Sequence, residues 1–383
     1  MMVGGDVSPG SGRNGPRAVV LGASIAGAAA AIQLARRGWE VAVVEPDLDR
    51  FGHAAQVPSV RPGAPHAVQA HVWMARATTE LRDRLPDVYD GLLAEGVHES
   101  TFADRHPAPL VGGGRPGDEA LTMLVMRRLV LDRVLWRVVS GEPRVNMRPA
   151  RAVGLVTSRM RPPRVLGVRL ATGAMLEADV VLDCTGRRTK VTSWLASHGA
   201  VEEVVERDCG LSYYGRHYRV GPGHRPRPNL GCAQVNNYPR GPHLWILGDR
   251  DHATLAMAAH DQDPCLKLLR RADAFGAAAQ ANPNLAPWLE ISAPTTGVFV
   301  MGSLRNRLRR MVSDGAPVVL GLHHLGDSLA NSNPTRGRGA AMALASASVL
   351  VDLLTDHPED PHAQAMGYDA WVSGPLSLYW RGG

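Results

Sequence analysis

The chain reads as an α/β protein: a Rossmann-like, dinucleotide-binding domain interrupted by a second domain built on β-sheet. Three observations predict this. Residues 17–45 alternate strand, small-residue helix and strand with short turns. Short strand-like runs dominate residues 205–312. Near the end, an apolar strand, a polar Gly-rich loop and a long Ala/Leu/Val helix return to the first pattern. A length of 383 residues accommodates two domains, and 45% hydrophobic content with mixed charge describes a folded chain.

The elements follow in order. Residues 1–16 are rich in Gly, Ser and Pro and lack an apolar core segment, so they read as a disordered lead-in rather than a signal peptide. RAVVL (Arg17–Leu21) is a short buried strand. IAGAAAAIQLARR (Ile25–Arg37) is a helix of small residues ended by Gly38, and WEVAVVE (Trp39–Glu45) is a second strand. A long loop rich in Pro, Gly and His follows over residues 51–71, where loops of such length are functional or disordered. Helical patterning resumes from His71 to Val97 and again over Met126–Val139. Strands fill residues 145–183, with a hairpin turning at Thr172-Gly173, and EADVVLDCTG (Glu177–Gly186) is a buried strand entering a Gly turn. The expected division is a first domain over 17–204, an inserted sheet domain over 205–312, and a return segment over 313–383 with a short C-terminal tail.

Composition excludes several classes. No run of eighteen apolar residues is present, so no membrane span is expected. Cys184, Cys209, Cys232 and Cys265 form no CxxC pair, which argues against a zinc or thioredoxin-like site and for free thiols in a cytoplasmic protein. Lys190 and Lys267 are the only lysines in a basic, arginine-biased chain. The run RNRLRR (Arg305–Arg310) lacks aromatic interleaving and is read as a solvated face rather than a nucleic-acid site. The positive balance still favours anionic small molecules or nucleotides.

Two motifs carry chemistry. GASIAG places Gly22 at a tight turn after the first strand and Gly27 where the helix must approach that strand closely. Ser24 keeps the backbone open to a phosphate and adds a hydroxyl donor, and the helix N-terminus favours an anion. Glu45 closes the second strand 23 residues after Gly22, where a carboxylate accepts ribose hydroxyls and disfavours a 2′-phosphate. The second motif is LGDSLANSNPTRGRG. Gly326-Asp327 follows a buried strand, and Asp327 suits a polyol such as ribitol. Pro334 stiffens the loop. Gly337 and Gly339 open a helix that, with Arg336 and Arg338, faces positive potential toward a reduced, anionic ring.

Taken together, GASIAG with Glu45, LDCTGRR at 182–188 and GDSLANSNPTRGRG resemble the three FAD-contacting motifs of the flavoprotein monooxygenases, the family of aromatic hydroxylases, squalene epoxidase and polyketide epoxidases. The likeness spans about residues 17–356 and is strongest to bacterial members with an NPxxGRG turn and an RxGxPxxxxxH segment, here Arg61–His71. It implies a glutathione-reductase-type FAD-binding domain. It puts the FAD pyrophosphate at Gly22, Ser24 and Gly27, and the adenosine ribose at Glu45. Arg128 falls near the phosphate–ribityl region, and Asp183 and Gly186 in the middle motif. Asp327, beside the cofactor-binding Gly326, takes the ribityl chain; Pro334, Gly337 and Gly339 belong to the isoalloxazine loop.

The chain departs from the pattern in three places. DCTGRR replaces an Asp-Gly pair, Ser328 stands where Ala is common, and the sequence stops about 45 residues after the loop. The last point implies a substrate wall that is absent or supplied by a partner chain or homo-oligomer.

The implied activity is NAD(P)H-driven transfer of one oxygen atom from O2, by a flavin C4a-hydroperoxide, to an apolar small molecule of secondary metabolism, as hydroxylase or epoxidase. A dehydrogenase or reductase on the same fold, or a catalytically weakened partner subunit, are the alternatives. A halogenase is disfavoured by the missing WxWxIP stretch and the scarcity of lysine. His71 is the catalytic candidate: it either lies beside the flavin or serves locally as a cap or hydrogen-bond donor. His323 and His324 are assigned a structural role, with no metal site. Tyr213, Tyr214, Trp245 and Phe299 are expected to line the substrate cavity or to pack its core.

Overall fold

Strand β1 (Arg17–Leu21) enters helix α1 (Ile25–Arg36), which returns through β2 (Glu40–Val44). The computed structural model describes residues 15–48, 63–105, 115–222, 233–238 and 241–381. Most of the expected loop at 51–71, including Arg61, lies outside them, as does Cys232. Every residue of α1 from Ile25 to Ala35 is buried, because its alanines let it lie close to neighbours on all sides.

The helical stretch after His71 divides into α2 (Ala75–Arg84) and α3 (Pro86–Ala94). Pro86 is the cause: it occupies the first turn of α3 and drives Leu85 out of helical geometry, to φ −139°. Helix α4 (Arg128–Gly141) then leads to β3 (Val145–Arg148), and β4 (Val180–Asp183) follows a three-stranded meander over residues 152–177. The hairpin within that meander turns at Gly173.

Strand β5 (Glu203–Asp208) opens the second region, followed by β6 (Leu211–Val220), β7 (Ala233–Tyr238), β8 (Gly241–Leu247) and β9 (His252–His260). The return comprises β10 (Arg305–Arg310), β11 (Leu322–His324), β12 (Ala330–Asn331), α5 (Gly339–Asp356) and α6 (Pro361–Trp371).

These strands make two principal sheets and a neck. The first sheet is parallel throughout, in the order β11–β4–β1–β2–β3. Helices α1, α4 and α5 cover one face, and the meander packs on the other. The second is antiparallel, ordered β7–β8–β9–β6, with residues 292–294 and 299–301 also pairing to β6. Its far face closes over Trp245, Trp288, Phe275 and Tyr218. The neck pairs β5, β10 and β12; the expected boundaries at 205 and 312 fall within β5 and just past β10.

The basic run is therefore a neck strand and not simply a solvated face. Arg305 and Arg307 both meet Glu206, Arg310 meets Glu203 and Asp369, and the buried Arg309 meets Glu202 at 3.0 Å. Burial of arginine side chains in a sheet demands such partners. Helix α5 is long and apolar enough to cross a membrane, but 67% of its apolar window is buried inside the protein as a core helix.

Candidate functional site

The C-terminal edge of the parallel sheet gathers most of the predicted residues, as expected where βα turns of an open α/β sheet meet. Gly22 leaves β1 with φ +98°, and a Cβ there would lie 2.6 Å from the Cys184 carbonyl oxygen. A Cβ on Gly27 would lie 1.9 Å from the Gly22 carbonyl, so only glycine permits this close crossing. Glu45, 8% exposed, accepts from the Ala23 N–H at 3.0 Å and the Asp47 N–H at 2.9 Å. Its carboxylate thereby ties the end of β2 to the glycine turn.

Ser24 is the N-cap of α1, but its side chain makes no capping bond, and the first turn contains no acidic residue. Its Oγ instead accepts from Arg128, whose Nη2 is 2.6 Å away. The same guanidinium, 5% exposed, donates from Nη1 to His66 Nε2 at 2.7 Å and lies 3.5 Å from Asp132. Arginine has no acceptor, so His66 Nε2 must present its lone pair, and its 3.9 Å approach to Asp327 is not an ion pair.

Asp327 lies in a 3-10 turn, Gly326–Ser328, immediately beside α1: a Cβ on Gly326 would be 3.0 Å from Ala26. Burial pushes the Asp327 carboxyl up, against the pull of Arg128 and Arg187. Burial likewise lowers Arg187, which Asp327 partly restores. Gly186 adopts φ +84° and donates its N–H to Ser328 Oγ at 3.2 Å. Gly22, Ser24, Gly27, Glu45, Arg128, Gly186, Gly326 and Asp327 thus surround one helix N-terminus.

Asp183 does not join them. Its side chain is fully buried and turned into the protein. It accepts from Thr185, from Thr189 Oγ1 at 2.6 Å, and from His324 Nδ1 at 2.7 Å. The other His324 nitrogen donates to Glu202 at 2.7 Å, so the ring carries both protons. Burial alone would lower His324, but the two carboxylates raise it to about 9. Arg309 extends the cluster, reaching from Glu202 to the Ser328 carbonyl at 2.7 Å. His323 points the opposite way, edge-on to Tyr368, and burial lowers it to about 3.

The remaining loop residues form a second wall. Asn333 caps a 3-10 turn at Pro334–Arg336, and Gly337 is left-handed at φ +62°, packed on Val72. Gly339 begins α5, with Arg338 at its N-cap. Tyr213 from β6 donates to Asn333 at 3.1 Å. The C-terminal tail docks on this loop: Trp380 donates to the Asn331 carbonyl at 2.6 Å, and Arg338 lies over the Tyr379 ring.

His71 is stacked on Trp73, with Nδ1 2.8 Å from the Gln69 carbonyl. Burial, reinforced by Arg128, lowers it to about 4, so the ring is neutral. Among the aromatic candidates, alternation along β6 decides: Tyr214 belongs to the far core with Trp245, whereas Tyr213 faces the loop. Phe299 meets His217 edge-on. Sequence reasoning missed His66, Gln69, His217, and the Glu202–Arg309 contribution to the His324 cluster. His66 and Gln69 were findable, since they stand in the same Pro/His segment as His71; the others depend on long-range pairing.

Comparison with known proteins agrees with this fold. A model of the NAD(P)-binding Rossmann-like domain matches residues 20–87. No curated protein matches the chain in sequence. Among solved structures, PqsL, a probable FAD-dependent monooxygenase from Pseudomonas aeruginosa, superposes with a TM-score of 0.68 at 18% identity, covering 96% of this chain and 94% of that one. The myxobacterial chondrochloren halogenase CndH gives 0.70 at 16% identity, covering 96% and 82%. A 2-methyl-3-hydroxypyridine-5-carboxylic acid oxygenase gives 0.62 at 16%, covering 96% and 90%. The chain therefore has a Rossmann-like core within the fold shared by flavin-dependent monooxygenases and halogenases.

Proposed function

We propose that the chain is an FAD-dependent oxidoreductase and, more narrowly, a monooxygenase that inserts one atom of O2 into a neutral small molecule, with NAD(P)H as transient reductant. The observation that carries this reading is the charge arrangement at the start of α1. A buried guanidinium, Arg128, shares this point with an uncapped helix N-terminus, and Arg187 stands near. Positive ends placed together are unfavourable without an anion between them. Asp132 and Asp327 answer only part of that charge, and a pyrophosphate fits the remainder.

The residues present fit FAD. The first-turn N–H groups of α1, with Ser24 and Arg128, would hold the pyrophosphate, and Glu45 the adenosine ribose. Asp327 would accept from the ribityl chain. The start of α5, with Arg338, would stabilise negative charge on the ring. Bound flavin supplies two-electron transfer and reaction with O2. The protein's own task is then to orient the ring, keep water out and position substrate. His71, held neutral, would accept or relay a proton on the sheet side of the loop. A halogenase reading finds less support, because Lys190 and Lys267 are both exposed, the first at the N-cap of the short helix at 191–197 and the second on the 3-10 turn at 266–270.

The test is the absorbance spectrum of purified protein with added FAD, before and after NADH or NADPH. A yellow protein that bleaches, then transfers label from 18O2 to substrate on re-oxidation, is the expected result. A protein that stays colourless overturns the flavin reading. One that binds FAD and turns over without incorporating label would be a dehydrogenase or reductase.

A further inference from the structure

The neck sheet has an open edge. It runs β5–β10–β12, so among the described residues β5 (Glu203–Asp208) has a neighbour on one side only. Every residue of β5 is exposed, on both faces, with Val204 at 43% and Val205 at 38%. The direction of the ladder bonds shows which backbone groups are unanswered. Cys209 continues the register of β5 and donates its N–H to the Leu304 carbonyl, so Glu203, Val205 and Arg207 bond to β10. Arg309, opposite Val204, turns its N–H the other way, to the Leu329 carbonyl. Val204, Glu206 and Asp208 therefore point their N–H and C=O groups outward, where no described residue meets them.

Charge commonly guards such an edge against another strand. Here the charges are of both signs, and the strand complements itself in one register. When a second copy lies antiparallel, centred on Val205, Glu203 of each copy stands opposite Arg207 of the other, and Val205 stands opposite Val205. Val204 of each copy exchanges backbone hydrogen bonds with Glu206 of the other, which uses the outward groups. Among the described residues Arg207 has no carboxylate partner in its own chain, and Glu203 offers a second oxygen beyond the one 3.1 Å from Arg310. Glu206 is already neutralised by Arg305 and Arg307, and Glu202 by His324 and Arg309. Sliding the register one way sets Glu206 on Glu206; sliding it the other way leaves Arg207 opposite Val201.

We propose that this edge is an interface between two copies of the chain: a second copy adds its own β5 antiparallel, centred on Val205, so that one sheet runs through both necks. The proposal rests on the neck alone and holds whatever cofactor the chain carries. A contact built on one short strand is at the small end of specific interfaces, so the dimer exchanges with monomer.

Sedimentation velocity on the full chain, over about 1–200 µM, should show a concentration-dependent shift from monomer to dimer. Val204→Pro removes an outward N–H and puts a ring where the second strand must come, without breaking a bond to β10. It should raise the dissociation constant by about tenfold or more. Arg207→Glu turns both attractive pairs into repulsive ones and should do the same, whereas Arg207→Lys should stay within about threefold of wild type. Arg159→Glu, an exposed position on the turn at 158–163, makes the same charge change outside the strand and should leave the equilibrium unmoved. Circular dichroism checks that the variants fold. Opposed residues of a pair that shares no backbone hydrogen bond stand about 4.5 Å apart at Cα, within reach of a disulfide. Val205→Cys should therefore cross-link two copies on mild oxidation more than wild type, with its exposed Cys265, does; Glu206→Cys should not.

A chain that stays monomeric across that range overturns the proposal. So does a dimer that Val204→Pro and Arg207→Glu both leave intact, which would lie on another face. Cross-linking by Glu206→Cys and not by Val205→Cys overturns the register.

Discussion

Replacing His324 with glutamine should destabilise the protein in a pH-dependent way. The ring is fully buried, 2.7 Å from both Asp183 and Glu202. Raising an imidazole from 6.5 to about 9 favours its charged form by about 3 kcal/mol. Burial pushes both carboxyls up, but the hydrogen bonds and charge of His324, added to donation from Thr185 and Thr189 at Asp183 and to Thr192 and Arg309 at Glu202, together hold them below the ordinary range. The His324 share of these shifts is the same contacts seen from the other side and is counted once. Because the folded value lies above the unfolded one, the histidine's contribution is complete below 6.5 and is lost as pH rises through about 9. The carboxylate share is present above the ordinary carboxylate range and is lost as pH falls below it.

Chemical denaturation of the wild type should therefore lose about 3 kcal/mol between roughly pH 6 and pH 10. His324→Gln should be weaker by about 3–5 kcal/mol at the acid end, because it leaves two buried carboxylates short of a partner. Its pH profile over that window should be flatter. With about 2 cal/mol/K of unfolding entropy per residue, a loss of 3 kcal/mol in a chain of this size lowers Tm by about 4 °C. Parallel pH profiles for the two proteins would refute the assignment of a buried imidazolium.

Three further outcomes are expected. Asp327→Ala should weaken FAD retention by about tenfold, the value of one charge-assisted hydrogen bond, measured by flavin fluorescence on dilution; full retention would misplace the loop. Gly27→Ala should prevent the helix from seating on β1, because the added methyl would lie 1.9 Å from a backbone oxygen; wild-type Tm and FAD content would contradict this. Trp245→Ala should cost about 3–5 kcal/mol in denaturation, since its ring is wholly buried against Tyr218 and Trp288; a loss under about 1 kcal/mol would show that the far core collapses around the gap.

Local chemistry made much of the framework legible before any coordinates. The alanine run and its flanking strands lie where periodicity and Gly38 place them, because a βαβ unit is specified by short-range pattern. The loop around Asp327 likewise announced itself, as a polar Gly-rich segment between two buried elements. Less legible was the split at Pro86, where a single proline outweighed continuous helical patterning. RNRLRR carried no sign of its carboxylate partners, because Glu202, Glu203 and Glu206 are about a hundred residues away in the chain and are brought opposite by β5.

The sequence by itself determined the α/β class and the two glycine-rich turns, since both depend on backbone limits that a few neighbouring residues impose. Only the tertiary structure decided which way each functional side chain points. Asp183 turns inward because β11 sets His324 beside it. His217 presents a lone pair because β6 carries it to the Val68 carbonyl, 149 residues away. A proton's place on a ring depends on its hydrogen-bond partner, and long-range pairing supplies that partner.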